Sequence, residues 1–105
     1  MELKIYWTDF AEKELVKIFD YYKSEASIKV AKNVVERVVE ATMKLSSHPE
    51  LGSIEELLNS REQEFRCLIS SNFKIIYFKN LDKNRIEVVD VFDTRQNPIK
   101  IKRIG

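Results

Sequence analysis

The sequence predicts an α+β domain of order β-α-α-β-β-β, a helical hairpin packed on a mainly antiparallel four-stranded sheet. Three observations predict it. Two stretches in the first half carry apolar residues at helical spacing. Three short apolar runs with polar turns between them fill the last third. An alternating run opens the chain ahead of the first helix, and at 105 residues the chain reads as one domain, 1–105.

Leu3, Ile5 and Trp7 alternate with Lys4 and Tyr6, the period of a strand with one buried face. Thr8 then offers a helix N-cap, and Asp9 and Glu12 place negative charge in the first turn. Ala11, Leu15, Ile18 and Tyr22 follow at helical spacing, with Phe19 widening the stripe. Ser24 to Ser27 reads as a break. A second helix is expected from Ile28 to Leu45, with an apolar face of Ala31, Val34, Val35, Val38, Ala41 and Leu45. Its many valines lower helix propensity, but length and period outweigh that, and Glu40 with Lys44 adds an i,i+4 pair. The short connection folds the two helices into an antiparallel hairpin.

Proline and glycine in Ser46-Ser47-His48-Pro49-Glu50-Leu51-Gly52 end the helical region. Residues 53–64 read as a polar connector with one apolar island, Ile54, Leu57 and Leu58, room for a single helical turn. Three strands follow, over Phe65–Ser70, Phe73–Lys79 and Ile86–Asp93. The last is nearly continuous in apolar character, which places it inside the sheet. Its Asp90, set among valines, requires a partner or an edge position. These three strands form an antiparallel meander, joined by the opening strand after the hairpin has crossed one face. The other face is expected to be at least partly open.

With 18 basic and 17 acidic residues, the net charge of +1 argues against a general nucleic-acid binder, which carries a clear basic excess. The 44% apolar and 33% charged content fits a folded chain. Cys67 is the single cysteine, so no internal disulfide forms, and with no signal peptide at Met1 a cytoplasmic protein is expected. No run approaches a membrane span. One histidine, His48, and one thiol give no metal-ligand spacing, so neither metal nor cofactor is expected.

Arg66 and Lys74 are cations planted in strand patterns. A buried guanidinium needs water, a carboxylate or a ligand, so these two residues are candidates for binding something anionic. They share the open face only if the strand register allows it. Arg66 has structural alternatives in Asp93 and Glu64. Tyr77 reads as core because the third predicted strand alternates cleanly around it, and Trp7 as core with Leu3 and Ile5. Arg95 follows Asp93 where the chain leaves the last strand.

Several pieces resemble the RelE/ParE toxin superfamily, the toxic halves of bacterial type II toxin–antitoxin pairs, over essentially the whole chain. They are Ile5-Tyr6-Trp7-Thr8 with Ala11 and Leu15, the Ser46–Gly52 segment, Phe65-Arg66, Lys74-Ile75-Ile76-Tyr77, and Val91-Phe92-Asp93-Thr94-Arg95-Gln96. The resemblance implies the βααβββ fold, a role in plasmid stabilisation or growth inhibition, and a hetero-oligomer with a cognate antitoxin. RelE-like members cleave messenger RNA on the ribosome, whereas ParE-like members poison DNA gyrase. Nuclease members use arginines and lysines with a tyrosine or histidine, some with a glutamate as base. Arg66 matches the strand arginine of the family, but Asp93 and Thr94 stand where nucleases tend to place histidine or tyrosine. The connector brings Glu55, Glu56, Glu62 and Glu64 against Arg61, where nucleases often bring lysines. These departures favour the gyrase branch, with the ribosome-dependent endoribonuclease, or a non-toxic interaction module of the same fold, as the alternatives. The resemblance makes Arg66, Lys74, Arg95 and Asp93 target-binding candidates, the three cations being the catalytic candidates in the nuclease branch.

Overall fold

Thr8 and Ser27 start the two helices. The computed structural model of the chain describes residues 2–58 and 63–94. Thr8 is extended, and its hydroxyl accepts from the Ala11 N–H at 3.2 Å. Helix α1 (Asp9–Glu25) follows β1 (Lys4–Trp7), with Asp9 and Glu12 in its first turn. Ser27 caps helix α2 (Ile28–Met43) in the same way, accepting from Val30 N–H at 3.1 Å. Each cap satisfies one of the N–H groups a helix start leaves without an intrahelical partner. Between the helices, Ala26 and Ser27 both donate to the Tyr22 carbonyl, so the hairpin turns within two residues. A single 3-10 turn (Lys44–Ser46) extends α2 to the buried Leu45, as the apolar stripe requires.

The remaining strands are β2 (Ser53–Ile54), β3 (Arg66–Ser70), β4 (Phe73–Asn80) and β5 (Arg85–Asp93). Among the described residues they form one sheet with β1, in the order β1-β5-β4-β3-β2. The expected meander is β3-β4-β5. β1 runs parallel to β5, with Ile5 beside Ile86 and Trp7 beside Val88, which puts β5 inside the sheet as its apolar run requires. The sequence reading missed one strand. β2 pairs Ser53 with Cys67 and Ile54 with Arg66. Two residues cannot display an alternation, so β2 exists only by virtue of the edge it joins. The apolar island after it forms the expected helical turn, a 3-10 turn over Glu56–Leu58.

Register assigns the faces. Arg66 lies opposite Tyr77 and Leu68 opposite Ile75, whereas Cys67 lies opposite Ile76 and Ile69 opposite Lys74. Side chains directly opposite share a face. Tyr77 and Ile75 join Ala11, Val38, Leu45 and Val88 in the main core between sheet and hairpin. The other face carries a smaller core of Leu58, Ile76 and Phe92, with Phe65, Cys67 and Val89 packed against it. The connector therefore roofs part of the face expected to be open. A β-bulge between Ile76 and Tyr77 shifts the register against β5, where Asp90 is fully buried and accepts from the Val91 N–H at 2.8 Å.

Candidate functional site

Register places Arg66 on the hairpin side of the sheet and Lys74 on the opposite side, so the two cations do not build one basic face. Each has found its own carboxylate. Arg66 Nη2 lies 3.1 Å from Glu64 Oε1, and Nη1 donates to the Gly52 carbonyl at 2.8 Å. Lys74 Nζ lies 2.7 Å from Glu55 Oε2, a carboxylate only 6% exposed. Of the two structural partners weighed for Arg66, Glu64 is the one used. Asp93 sits across from Phe73 at the far end of β4 and accepts from the Asn72 side-chain amide at 3.1 Å. Arg95 lies outside the described residues. The three described candidates, Arg66, Lys74 and Asp93, are thus distributed over two faces and both ends of the strands rather than converging.

Tyr77 holds the loop before β2. Its ring is 1% exposed, its hydroxyl donates to the Pro49 carbonyl at 2.8 Å and accepts from the Gly52 N–H at 2.9 Å. Burial raises its pKa, outweighing the Gly52 hydrogen bond and Arg66, both of which lower it. Both hydrogen-bonding roles of this hydroxyl are already taken inside the fold. Gly52 is required where it stands, because a Cβ would overlap the Cys67 carbonyl oxygen and lie 2.8 Å from the Tyr77 oxygen. The Cys67 thiol is likewise pushed up, chiefly by burial, and lies 3.6 Å from the Ser53 hydroxyl. It stays protonated at neutral pH, as a small, partly buried hydrophobe packed against the smaller core. Among the described residues, no three His, Cys, Asp or Glu side chains are grouped to hold a metal ion.

Arg66 opens onto a groove of about 520 Å³ between the Pro49–Gly52 loop and the β4–β5 turn. Its charged lining is Glu50, Glu64, Asp82, Arg66 and Lys79. Lys79 pairs with Glu50 at 3.3 Å, so both cations among the described lining residues are engaged by carboxylates. Phe78 and Leu81 supply apolar lining, and Leu81 is 76% exposed. The sequence reading missed Gly52, Glu50 and Glu55 as parts of these arrangements. The Pro-Glu-Leu-Gly punctuation marked the loop, but which sheet residues would pin it depends on contacts distant in sequence.

The helical hairpin carries a separate exposed apolar set. Val16 and Tyr21 on α1 and Ile28 and Met43 on α2 are all more than half exposed. Of the aromatic rings, Phe10 and Tyr21 are exposed while Phe92 is buried.

The sequence matches the profile described as the ParE toxin of type II toxin–antitoxin system, parDE, over residues 5–98. No curated protein matches the chain significantly. Among solved structures, the chain is similar to one of the chromosomal ParDE toxin–antitoxin system from P. aeruginosa. The TM-score is 0.72 at 18% identity, over 88% of this chain and 96% of that one. It is also similar to one of the toxin–antitoxin complex RelBE2 from Mycobacterium tuberculosis, with a TM-score of 0.65 at 16% identity, over 89% of this chain and 92% of that one. A third is a mutant of the E. coli toxin RelE in the free state, with a TM-score of 0.55 at 18% identity and full coverage of both chains. At these identities the structural likeness carries the fold, two helices on a mixed sheet.

Proposed function

Because the chain belongs to the ParE toxin family of type II toxin–antitoxin systems, we propose that this toxin acts by poisoning DNA gyrase and is neutralised by a cognate antitoxin. The observation that supports the gyrase branch is the state of Arg66. Cleavage of RNA through its 2′-hydroxyl needs a base, an acid and unengaged cations around one phosphate. Arg66 is instead divided between Glu64 and the Gly52 carbonyl, Lys74 points to the other face with Glu55, and the Tyr77 hydroxyl is buried in backbone hydrogen bonds. Such a surface suits a protein target better than a polyanion. The experiment is purified gyrase with supercoiled DNA. Cleaved DNA should accumulate on addition of the protein, and naked RNA should stay intact. Ribosome-dependent cleavage of messages with no effect on gyrase would move the protein to the nuclease branch.

The antitoxin docks across the helical hairpin in this reading, where Val16, Tyr21, Ile28 and Met43 are exposed. Two of the similar structures are of toxin–antitoxin systems. Antitoxin tails that order on binding would cover such a surface. Co-expression with the product of the neighbouring gene and pull-down tests this. A chain that is monodisperse alone and ignores that product would refute it. The site of action is the cytoplasm, where gyrase works. No helix of the described residues is long and apolar enough to cross a membrane.

A further inference from the structure

We propose that the groove beside Arg66 receives a segment of the protein target that carries a lysine or arginine next to an apolar side chain. The inference rests on the reading that the target is a protein, and it names the chemistry the site selects. Three features carry it.

The first is charge. Glu50, Glu64 and Asp82 face Arg66 and Lys79, and each of those cations is held by one of the glutamates. Among the described residues that line the groove, Asp82, exposed on the β4–β5 turn, is the carboxylate in excess. A phosphate entering here meets two engaged cations and three carboxylates among the described lining residues, whereas an ammonium or guanidinium meets a complementary field. The second is the apolar lining. Phe78 packs edge-on against Phe65, with ring centroids 5.5 Å apart, and Leu81 projects beside it at 76% exposure. An apolar side chain of the ligand would remove Leu81 from water. The third is preorganisation. One wall is the loop pinned by Tyr77 and Arg66 through Pro49 and Gly52. The opposite wall is a turn closed by Lys83 N–H on the Asn80 side chain at 3.1 Å and by Asn84 N–H on the Leu81 carbonyl at 3.3 Å. Asn84 adopts the left-handed conformation this turn needs, at φ 52°. With both walls fixed by the fold, little ordering opposes binding. The volume of about 520 Å³ holds a few side chains rather than a folded element.

The test is an NMR titration of the ¹⁵N-labelled full chain with three probes: acetyl-Leu-Lys-Leu-amide, its glutamate counterpart, and a tetra-adenylate RNA. The lysine peptide should shift the amides of Phe78 to Asp82 and of Glu50 to Gly52, with at least about fivefold tighter binding than the glutamate peptide. Asp82→Lys should abolish that preference at unchanged melting temperature. Equal affinity for the two peptides, a stronger response to the RNA, or no shift at these residues would overturn the proposal. Because no gyrase is present, the titration and the gyrase assay fail independently of one another.

Discussion

Lys74 and Glu55 form an ion pair of 2.7 Å on the face of the sheet away from the hairpin, with the carboxylate 6% exposed. The pair ties the segment after β2 to the start of β4, beside the small core of Leu58, Ile76 and Phe92.

Removing Lys74 should therefore act first on stability. Lys74→Met leaves Glu55 short of its cation, at a cost of about 2–3 kcal/mol. The double variant Lys74→Met with Glu55→Gln should recover most of the loss, since the stranded charge is gone. Urea denaturation of the four proteins measures the cycle. A single variant as stable as the parent would show that the pair is only a solvated contact.

Tyr77→Phe removes a hydroxyl that serves both Pro49 and Gly52 while keeping the ring. The expected loss is about 1–3 kcal/mol, from the Gly52 N–H and the Pro49 carbonyl left to find other partners. Growth arrest on induction should persist at temperatures where the variant is folded. Arrest abolished in a variant of parental stability would instead assign the hydroxyl a chemical role.

Tyr77 and Cys67 also predict an alkaline limit. Burial raises both pKa values above the ordinary tyrosine and thiol values. Above those ordinary values the unfolded chain has released protons that the folded chain still holds, so folded stability falls as pH rises. Below about pH 8.5 the contribution is complete, and the loss begins as the thiol and then the phenol ionise in the unfolded state. Tyr77→Phe combined with Cys67→Ser should flatten the decline in denaturation midpoint between about pH 9 and 11. An unchanged slope would place the alkaline sensitivity in other groups.

Gly52→Ala should be among the most damaging single substitutions. The added methyl overlaps the Cys67 carbonyl oxygen, which belongs to the β2–β3 ladder and cannot swing aside. A loss of about 2–3 kcal/mol is expected, with the loop displaced from Tyr77. Thermal unfolding with amide exchange at residues 49–54 reports both effects.

Arg66 separates anchoring from target contact. Arg66→Ala should cost about 1–2 kcal/mol, since the Gly52 carbonyl loses its donor. Arg66→Lys should recover part of this, because an ammonium reaches one of the two partners without the planar fork that spans both. Melting temperature and growth arrest are to be read together. If toxicity falls while the melting temperature of Arg66→Lys stays parental, the guanidinium touches the target directly.

Much of this architecture was written in local chemistry. Thr8 and Ser27 mark the helix starts because a short hydroxyl side chain can reach the N–H three residues on. The stripes from Ala11 to Tyr22 and from Ala31 to Leu45 follow from helical period, and the apolar run of β5 fits its central place. Family membership was legible too, from pieces spread along the chain. The use made of each cation was not. Whether Arg66 and Lys74 share a face depends on the strand register, and directly opposite residues Ile69 and Lys74, or Arg66 and Tyr77, are matched by tertiary pairing. β2 was invisible for a related reason, since two residues have no period of their own and become a strand only when β3 offers an edge. The groove is the furthest from the sequence. Its walls, Pro49 with Glu50 and Leu81 with Asp82, meet only after the sheet has formed, and a charged side chain's role is decided by which neighbours the fold brings within hydrogen-bonding distance.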